Sequence, residues 1–472
     1  MRNLPKNLPQ LPDDAAMNTS AERITQVREY AITTALFGGG VEPSQADPIT
    51  VVRATAVRGH LRFWWRATRG GRYSSLRDMQ AAEDAIWGTA ATPNGKVGQS
   101  AVWVEVVVLE RGEPLTVRWY KQKELQPPSA DVGNPSSPLS YVAFPLREEK
   151  DDMGRTKPQP VLSKVRFAVI FSYVEEVEVP TLSKRLAVAK ELSAALWAWE
   201  TFGGIGGRTR RGFGALRCEH IDGQPNTDLP DKTEKQVFRW LTRKLEEYEV
   251  TQRSLTQDNV PLLPTVLDAN SCWVGHIANN GHHAAPVAEQ AAMDTWVGLF
   301  NKMKAFRQQR PSTRPPGRNQ WPEPDEIRRL ADTHTTAHAP ISKIRKFPRA
   351  AFGLPIQFEF KKDDIKVHPP DPRGKNLLQP KQDNKVLERF ASPLILKPLA
   401  CSDGVIGLAL ILDNTAVPTT LSIETSRGEK DVSSELTPAE ANSILNVNGK
   451  TKKPLLGRET DVLKAFLRFL QK

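Results

Sequence analysis

The chain has 472 residues, of which 65 are Lys or Arg and 54 are Asp or Glu, so its net charge is +11 and its pI is about 9.4. This length suits two or three domains, each able to bury a hydrophobic core. The longest apolar runs, residues 101–109 and 405–412, are far shorter than the roughly 18 residues of a membrane-spanning helix, so no membrane contact is expected. The first residues lack the apolar stretch of a secretory signal and the 3 Cys form no CxxC pair, which favours a cytoplasmic protein with reduced thiols and no metal site.

The first half of the chain contains six predicted elements. Residues 1–20 are rich in Pro, Asn and Asp and are expected to form a disordered lead-in. A long surface loop is expected at residues 121–163. From residue 21 to 222, periodicity and turn residues predict the order β-α-β-β-α-β, with the elements at 24–37, 57–69, 101–109, 164–175, 181–202 and 213–221. This order is typical of a ferredoxin-like (RRM-like) domain, in which two helices cover one face of an antiparallel sheet.

A turn-rich linker at residues 222–233 marks the predicted domain boundary, and residues 223–472 are predicted to form a second ferredoxin-like domain decorated with loop and helical insertions. Residues 361–384 are predicted to be one of these loops. Helices are predicted at 234–248, 289–309, 325–331, 438–445 and 460–470, and strands at 262–274, 354–360, 392–399 and 405–412. The predicted fold class is therefore α+β, with two βαββαβ domains.

The positive charge is concentrated in four stretches that contain no Asp or Glu. They hold 21 Lys and Arg, 17 of them Arg, and lie at residues 48–77, 201–218, 295–322 and 333–358. The remainder of the chain carries a net charge of −10. Because Arg suits bidentate contacts with phosphate, these stretches predict a surface for a polyanion, most simply nucleic acid. The alternative is that they are solvated helix faces.

The most distinctive motif is the glycine loop, residues 203–214, which has six Gly and three Arg in twelve residues. It is not a P-loop, because Phe213 and Gly214 stand where Lys and Ser or Thr are required. It is not a dinucleotide fingerprint either, because Thr209 takes the place of the third Gly and the loop follows a predicted helix. Glycines let a backbone approach a ligand closely and neighbouring Arg neutralise phosphate, so binding of a phosphate backbone is predicted. A flexible connector is the alternative.

A second motif lies on the predicted helix at residues 57–69. Arg58, Arg62, Arg66 and Arg69, the arginine stripe, fall on one helical face and could hold a run of phosphates. Phe63, Trp64 or Trp65 could stack on a base if exposed. For Trp65 we expect burial in the core instead.

Catalytic constellations are weak in this sequence. His334 and His338 have the spacing of a zinc-protease HExxH motif, but Thr335 replaces its Glu. His60 could serve as the general base of a metal-independent ribonuclease, or be an RNA-contacting or structural histidine. We therefore assign no catalytic residue and expect no cofactor.

Several segments together resemble a known family. They are TAVRGHLRFWWRA at residues 55–67, FGGIGGRTRRGFGAL at 202–216, WPEPDEIR at 321–328, FPRAAFGLPIQF at 347–358 and RFASPLILK at 389–397. The glycine-rich segment alone resembles the wider CRISPR-associated RAMP superfamily. In combination the segments resemble RAMP-type subunits of type III CRISPR effector complexes, specifically the first-numbered subunit of the type III-B Cmr complex.

The resemblance implies two ferredoxin-like RAMP domains in a non-catalytic, RNA-binding subunit of an antiviral ribonucleoprotein. Such subunits lie at the end of the backbone filament of RAMP subunits, near the 3′ region of the guide RNA, and help capture target RNA. The RNA contacts carried over by motif are Arg58, Arg62 and Arg66, the loop residues Gly203, Gly204, Gly206, Gly207, Arg208, Arg210 and Arg211, and Lys346 and Arg349. A metal-independent endoribonuclease acting on repeat RNA and a protein-only scaffold remain the alternatives.

Overall fold

A computed structural model describes residues 22–40, 46–89, 98–116, 149–150, 156–157, 160–251, 260–277, 288–309, 318–333, 340–360, 371–372, 374, 376–447 and 452–471. The predicted lead-in at residues 1–20, the pair His334 and His338, and most of the predicted loop at 121–163 lie outside the described residues. The fold is α+β, as predicted.

The described helices are α1 Ala54–Arg69, α2 Leu76–Trp87, α3 Val188–Phe202, α4 Glu234–Glu247, α5 Ala288–Arg307, α6 Glu323–Ala331, α7 Pro438–Ser443 and α8 Val462–Leu470. The first ten strands are β1 Ile24–Ile32, β2 Leu36–Phe37, β3 Val102–Thr116, β4 Glu149–Lys150, β5 Thr156–Lys157, β6 Pro160–Tyr173, β7 Glu176–Val179, β8 Lys184–Ala187, β9 Leu216–Ile221 and β10 Gln224–Pro225. The remaining strands are β11 Cys272–Gly275, β12 Ile356–Phe358, β13 Asn376–Gln382, β14 Lys385–Val386, β15 Leu394–Cys401, β16 Gly404–Ile411, β17 Thr420–Thr425, β18 Gly428–Ser433, β19 Leu445–Asn446 and β20 Lys453–Pro454.

The first half is built on an antiparallel sheet with the order β9-β1-β6-β3. Helices α1 and α3 pack on one face of it, where Tyr30 of β1 lies between the rings of Phe167 and Trp199, with centroids 5.3 and 5.2 Å away. Alternation along each strand directs one set of side chains to these helices and the other set away from them. All six predicted elements of this half are present.

Two features of the first half differ from the prediction. Helix α2 was not predicted, although Ser75 caps it by accepting a hydrogen bond from the Asp78 amide at 3.1 Å. The helix predicted to start at Thr181 begins instead at Val188, because the preceding residues form the β7–β8 hairpin. Ser183 turns that hairpin with a φ of 47°, which is incompatible with a continuous helix.

Among the described residues, the second half contains two larger sheets and the two-stranded pair β19–β20. Strands β11, β16 and β15 form an antiparallel sheet on which α5 packs. Strands β12, β13, β17 and β18 form the other, which is contributed by segments on both sides of the β15–β16 hairpin. The prediction of a loop at residues 361–384 is wrong at its C-terminal end, because β13 lies there and is an inner strand of this second sheet.

The two halves share their hydrophobic cores across the predicted boundary. One cluster joins Tyr30 and Trp65 with Ile395 and Leu408, and a second joins Phe213 with residues of the second half. Trp296 of α5 makes the most specific of these contacts, because its ring packs edge-on against Phe213 at 4.7 Å. Its indole N–H also donates to the backbone oxygen of Arg211 at 2.8 Å.

Trp296→Ala should destabilise the protein by about 3–5 kcal/mol, since it removes a fully buried ring and a hydrogen bond between the halves. Urea unfolding followed by circular dichroism checks this value. The control Val386→Ala, at a side chain that is 38% exposed, should change stability by less than about 0.5 kcal/mol. Separate unfolding of the first half, unaffected by Trp296→Ala, would contradict the coupling of the halves.

Candidate nucleic-acid interface

The glycine loop follows α3 directly and returns the chain to β9. Its glycines are required by close packing within the protein. Gly206 has a φ of 84°, and a Cβ on it would lie 2.5 Å from the Phe37 oxygen. Gly212 has a φ of 76°, and its Cβ would lie 2.6 Å from Nε1 of Trp296. Both positions exclude a larger residue on backbone conformation as well as on space.

Gly203 and Gly204, two of the predicted RNA contacts, are buried. The Gly204 oxygen accepts a hydrogen bond from Nε1 of Trp199 at 2.7 Å. The Gly203 oxygen accepts from Nζ of Lys397 at 2.8 Å, and the same Nζ lies 3.2 Å from the Glu200 oxygen. A lysine of β15 therefore satisfies the carbonyls at the end of α3, which a helix leaves without an intrahelical partner.

Arg210 and Arg211 hold the loop to the second half. Nη1 of Arg210 donates to the Ser392 oxygen at 2.8 Å. Arg211 donates to the Leu394 oxygen at 3.1 Å and to the Phe352 oxygen at 2.5 Å. The guanidinium of Arg211, a predicted phosphate contact, is thus hydrogen-bonded to backbone oxygens of the second half.

The outer edge of the loop is electropositive. The backbone of Arg208 has a φ of 58°. Burial and the positive charge of Arg389 both lower the pKa of its guanidinium. Burial also lowers the pKa of Arg210, whose guanidinium lies 5.2 Å from the ring centre of Phe63. Repulsion between Arg208 and Arg389 would be relieved by an anion. We call Arg208, Arg210, Arg389 and Phe63 the arginine rim.

Gly206, Gly207 and His60 lie beside the arginine rim. The Gly207 amide donates to the Phe37 oxygen at 2.6 Å. His60 makes a hydrogen bond to the Gly206 backbone, and burial lowers its pKa to about 4. His60 is therefore neutral at pH 7 and ties α1 to the glycine loop.

The arginine stripe of α1 makes ion pairs and hydrogen bonds within the protein. Nε of Arg62 and Nη1 of Arg66 both contact Oε1 of Glu83 in α2, at 2.7 and 2.6 Å. Arg58 donates to the backbone oxygen of Trp87 in the same helix. The stripe thus attaches α1 to the helix that was not predicted, although the side chains of Arg62 and Arg66 remain about one third exposed.

Arg69, the fourth predicted phosphate contact of the stripe, has a fully buried side chain. Its Nε lies 3.3 Å from Oε2 of Glu191, and its other nitrogens donate to the oxygens of Tyr248 and Lys190. A buried guanidinium with these partners holds α1 to α3 and cannot reach a phosphate.

The aromatic residues of α1 divide between core and surface. Trp65 is fully buried, as expected, and its indole N–H donates to Glu191 at 2.7 Å. Trp64 is only 3% exposed and is therefore excluded from base stacking. Phe63 is half-buried and is the one ring of the three that reaches the surface.

Arg349, another predicted RNA contact, is also buried. It is 8% exposed, and its Nε lies 3.1 Å from Oε2 of Glu323. Lys346, which is half-buried, precedes the buried Phe347 and forms a backbone bridge with Ser433. The acid that pairs with Arg349 comes from the segment WPEPDEIR, outside the acid-free stretch.

Sequence reasoning missed Arg389 and Arg53. Arg389 opens the quoted segment RFASPLILK, and Arg53 precedes α1 and donates to the oxygens of Gly39 and Gly40 at 3.1 and 2.9 Å. The turn at those glycines packs closely on the glycine loop. A Cβ added to Gly39 would lie 3.1 Å from the Cα of Gly206. Both arginines lie in or beside stretches that the sequence had singled out, but only the fold places them near the loop.

The described part of the chain shows neither a membrane-spanning helix nor a metal-binding cluster. No described helix is long and apolar enough to cross a membrane. No group of three or more His, Cys, Asp and Glu in the described part of the chain could hold a metal ion.

The family model of the RAMP superfamily matches residues 30–217. The match covers α1, the glycine loop and the sheet between them, and it confirms the RAMP resemblance over this part of the chain. The comparison with curated proteins found no match.

Solved structures that contain CRISPR proteins are similar to this chain. Cmr1 from Pyrococcus furiosus in its apo form is 16% identical, with 84% of this chain and 89% of that chain covered and a TM-score of 0.39. A chain of the type III-B Cmr-beta complex bound to cognate target RNA and AMPPnP is 13% identical, with 95% and 99% covered and a TM-score of 0.46. A chain of Cmr-beta bound to cognate target RNA is 13% identical, with 83% and 94% covered and a TM-score of 0.44. All three TM-scores are below 0.5.

The stability of the protein should depend on pH through Lys397 of β15. Burial lowers its pKa from 10.5 to about 7, so folding favours the neutral amine. Its contribution to the free energy of unfolding should therefore rise as the pH increases from about 7 towards 10.5, by at most about 1.4 kcal/mol per pH unit.

The comparison of wild type with Lys397→Met by urea unfolding between pH 6 and 9.5 tests this. The stability of the wild type relative to the variant should increase with pH above about 7. A difference that does not change with pH would show that Lys397 stays protonated in the folded protein.

Proposed function

We propose that this chain is a non-catalytic RNA-binding subunit of a type III-B CRISPR effector complex. The observation that carries the proposal is the arginine rim, where Arg208 and Arg389 repel each other beside Arg210 and an accessible ring. Like charges held together in a partly desolvated site favour binding of a polyanion, because phosphate relieves both the repulsion and the cost of burial. The RAMP match, which covers Phe63, Arg208 and Arg210 of the rim, supports this proposal.

We also propose the finer architecture expected from the sequence, with ferredoxin-like RAMP domains at residues 21–222 and 223–472. The β-α-β-β-α-β order and the strand order β9-β1-β6-β3 support it for the first half. In the second half, β11, α5, β15 and β16 follow the same β-α-β-β order, and α8 packs near α5. Its sheet has three strands among the described residues, with the second sheet as an insertion.

The proposed RNA contacts are a reduced set. The set keeps five predicted contacts, which are Gly206, Gly207, Arg208, Arg210 and Lys346. It adds Arg389. Arg58, Arg62 and Arg66 contribute only through the part of each side chain that is not bonded to α2. The phosphate backbone would run over the arginine rim, with Phe63 beside it as a stacking surface once Arg210 moves to a phosphate.

The proposed partners are the guide RNA, in its 3′ region, the target RNA, and other RAMP subunits at the end of the backbone filament, all in the cytoplasm. The absence of catalysis is part of the same proposal. A ribonuclease would need a proton-transfer group with a pKa near 7. The pKa of His60 is about 4, and its ring is already bonded to Gly206, which favours the binding role over cleavage.

The double variant Arg208→Gln with Arg389→Gln should weaken binding of a single-stranded RNA, with a smaller dependence on salt. Each lost phosphate contact should reduce the magnitude of the log Kd against log salt slope by about 0.7, so the double variant should lose about 1.4. Fluorescence anisotropy between 50 and 300 mM salt measures both quantities.

The matched control is Arg239→Gln with Arg427→Gln, which removes two exposed arginines of the second half and the same net charge. Its salt slope should stay at the wild-type value. Equal losses in the two double variants would mean that net charge alone drives binding and that the arginine rim is not the site.

A further inference from the structure

Strand β3 presents apolar side chains to solvent on the face of the sheet opposite the helices. Val104, Val106 and Val108 pack against the core, so the alternate residues Trp103, Glu105 and Val107 point away from it. Trp103 is 51% exposed and Val107 is 42% exposed, and Leu109 beside them is 46% exposed. These are three of the ten large hydrophobic side chains that are exposed among the described residues, and Trp103 is the one aromatic ring in that group.

The apolar surface continues onto the neighbouring strands. Glu105 stands opposite Ile170 of β6, and Ile170 stands opposite Val27 of β1. Residues directly opposite in antiparallel strands share a face and lie about 5 Å apart. The open sheet face, defined by Trp103, Val107, Ile170 and Val27, is therefore continuous over three strands, and continuous apolar patches mark interaction sites.

Among the described residues, no strand pairs with the outer edge of β3. The strand is 15 residues long and its described pairing is with β6 alone. Within the described part of the chain, this edge therefore offers backbone N–H and C=O groups next to exposed apolar side chains. Natural proteins shorten, charge or cover such edges because they pair with other chains, so a long apolar edge indicates a strand that is covered in the assembled state.

The charge of the open sheet face differs from that of the arginine rim. Arg166 is held between Glu110 and Glu219, at 3.0 and 2.9 Å. Glu29 pairs with His220 at 3.1 Å. Glu105, between Trp103 and Val107, makes no ion pair with any described residue. At one end of the face the guanidinium of Arg23 lies 3.8 Å from the ring centre of Trp103 and donates to the Ser172 oxygen. At the centre, where Arg166 is paired with two carboxylates and Glu105 has no ion pair among the described residues, the face favours a cation over a phosphate backbone.

We propose that the open sheet face and the outer edge of β3 bind an extended segment of another protein subunit. The segment would add a strand beside β3, place apolar side chains on Trp103 and Val107, and place a Lys or Arg against Glu105. This inference rests on the proposed function only for the choice of partner, which is another protein of the same effector complex.

The test co-expresses the full chain with the other protein subunits encoded beside it and quantifies their co-purification. Trp103→Lys with Val107→Lys should reduce co-purification at least tenfold, and Glu105→Lys should also reduce it, because it repels the basic side chain of the partner. The control Val266→Lys with Val386→Lys places the same charges at exposed hydrophobic positions elsewhere and should leave assembly unchanged. Binding of single-stranded RNA by each isolated variant should stay within twofold of wild type, so failure here is distinguishable from failure of the arginine rim.

A photo-cross-linking residue at position 107 of the otherwise unchanged chain identifies what covers the face, without requiring that a charged variant fold. A cross-link to another protein subunit supports the proposal. Cross-links to RNA, to a second copy of this chain, or to another segment of the same chain would each overturn it, as would normal assembly of the Trp103→Lys, Val107→Lys variant.

Discussion

The close contact between the glycine loop and strand β15 is the constraint on which the rest of the structure depends. The loop passes between the halves with no room for a Cβ at Gly206 or Gly212, while Arg211 and Lys397 bond carbonyls in opposite directions across the junction. Buried backbone oxygens must be paired, and here long basic side chains pair them. The motif that looks most like a ligand cradle is therefore mainly a structural junction between the halves, and the proposed RNA contacts lie at its outer edge.

The excess positive charge serves two physically distinct purposes. Arg69 and Arg349 are buried with carboxylates and carbonyls, where removing a partner would leave a costly unpaired charge. At Arg208, by contrast, burial and the positive charge of Arg389 both disfavour the charged form of the side chain. A bound anion would offset both effects, so the surroundings of Arg208 distinguish the proposed site better than the total of 21 bases in acid-free stretches.

The sequence predicted the order of elements in the first half, because periodicity and glycine turns are local signals. It also predicted burial of Trp65. It did not predict how the arginines are used, because Glu83, Glu191 and Glu323 neutralise them from elements distant in sequence. Helix α2 was missed even though Ser75 and Asp78 carry a capping signal, and without α2 the arginine stripe had no visible partner. The second sheet could not be predicted as a whole, because its strands come from either side of the β15–β16 hairpin and are joined by the distant β13–β17 pairing.

The most direct test of the central claim is to map where single-stranded RNA contacts the full chain. Photo-cross-linking of a 4-thiouridine RNA, followed by mass spectrometry of the peptides, gives this map. RNA adducts should lie on the peptides that contain Phe63, Arg208 and Arg389, which are distant in sequence and meet only at the arginine rim. Adducts confined to β3 and β6, with none on those three peptides, would contradict the account.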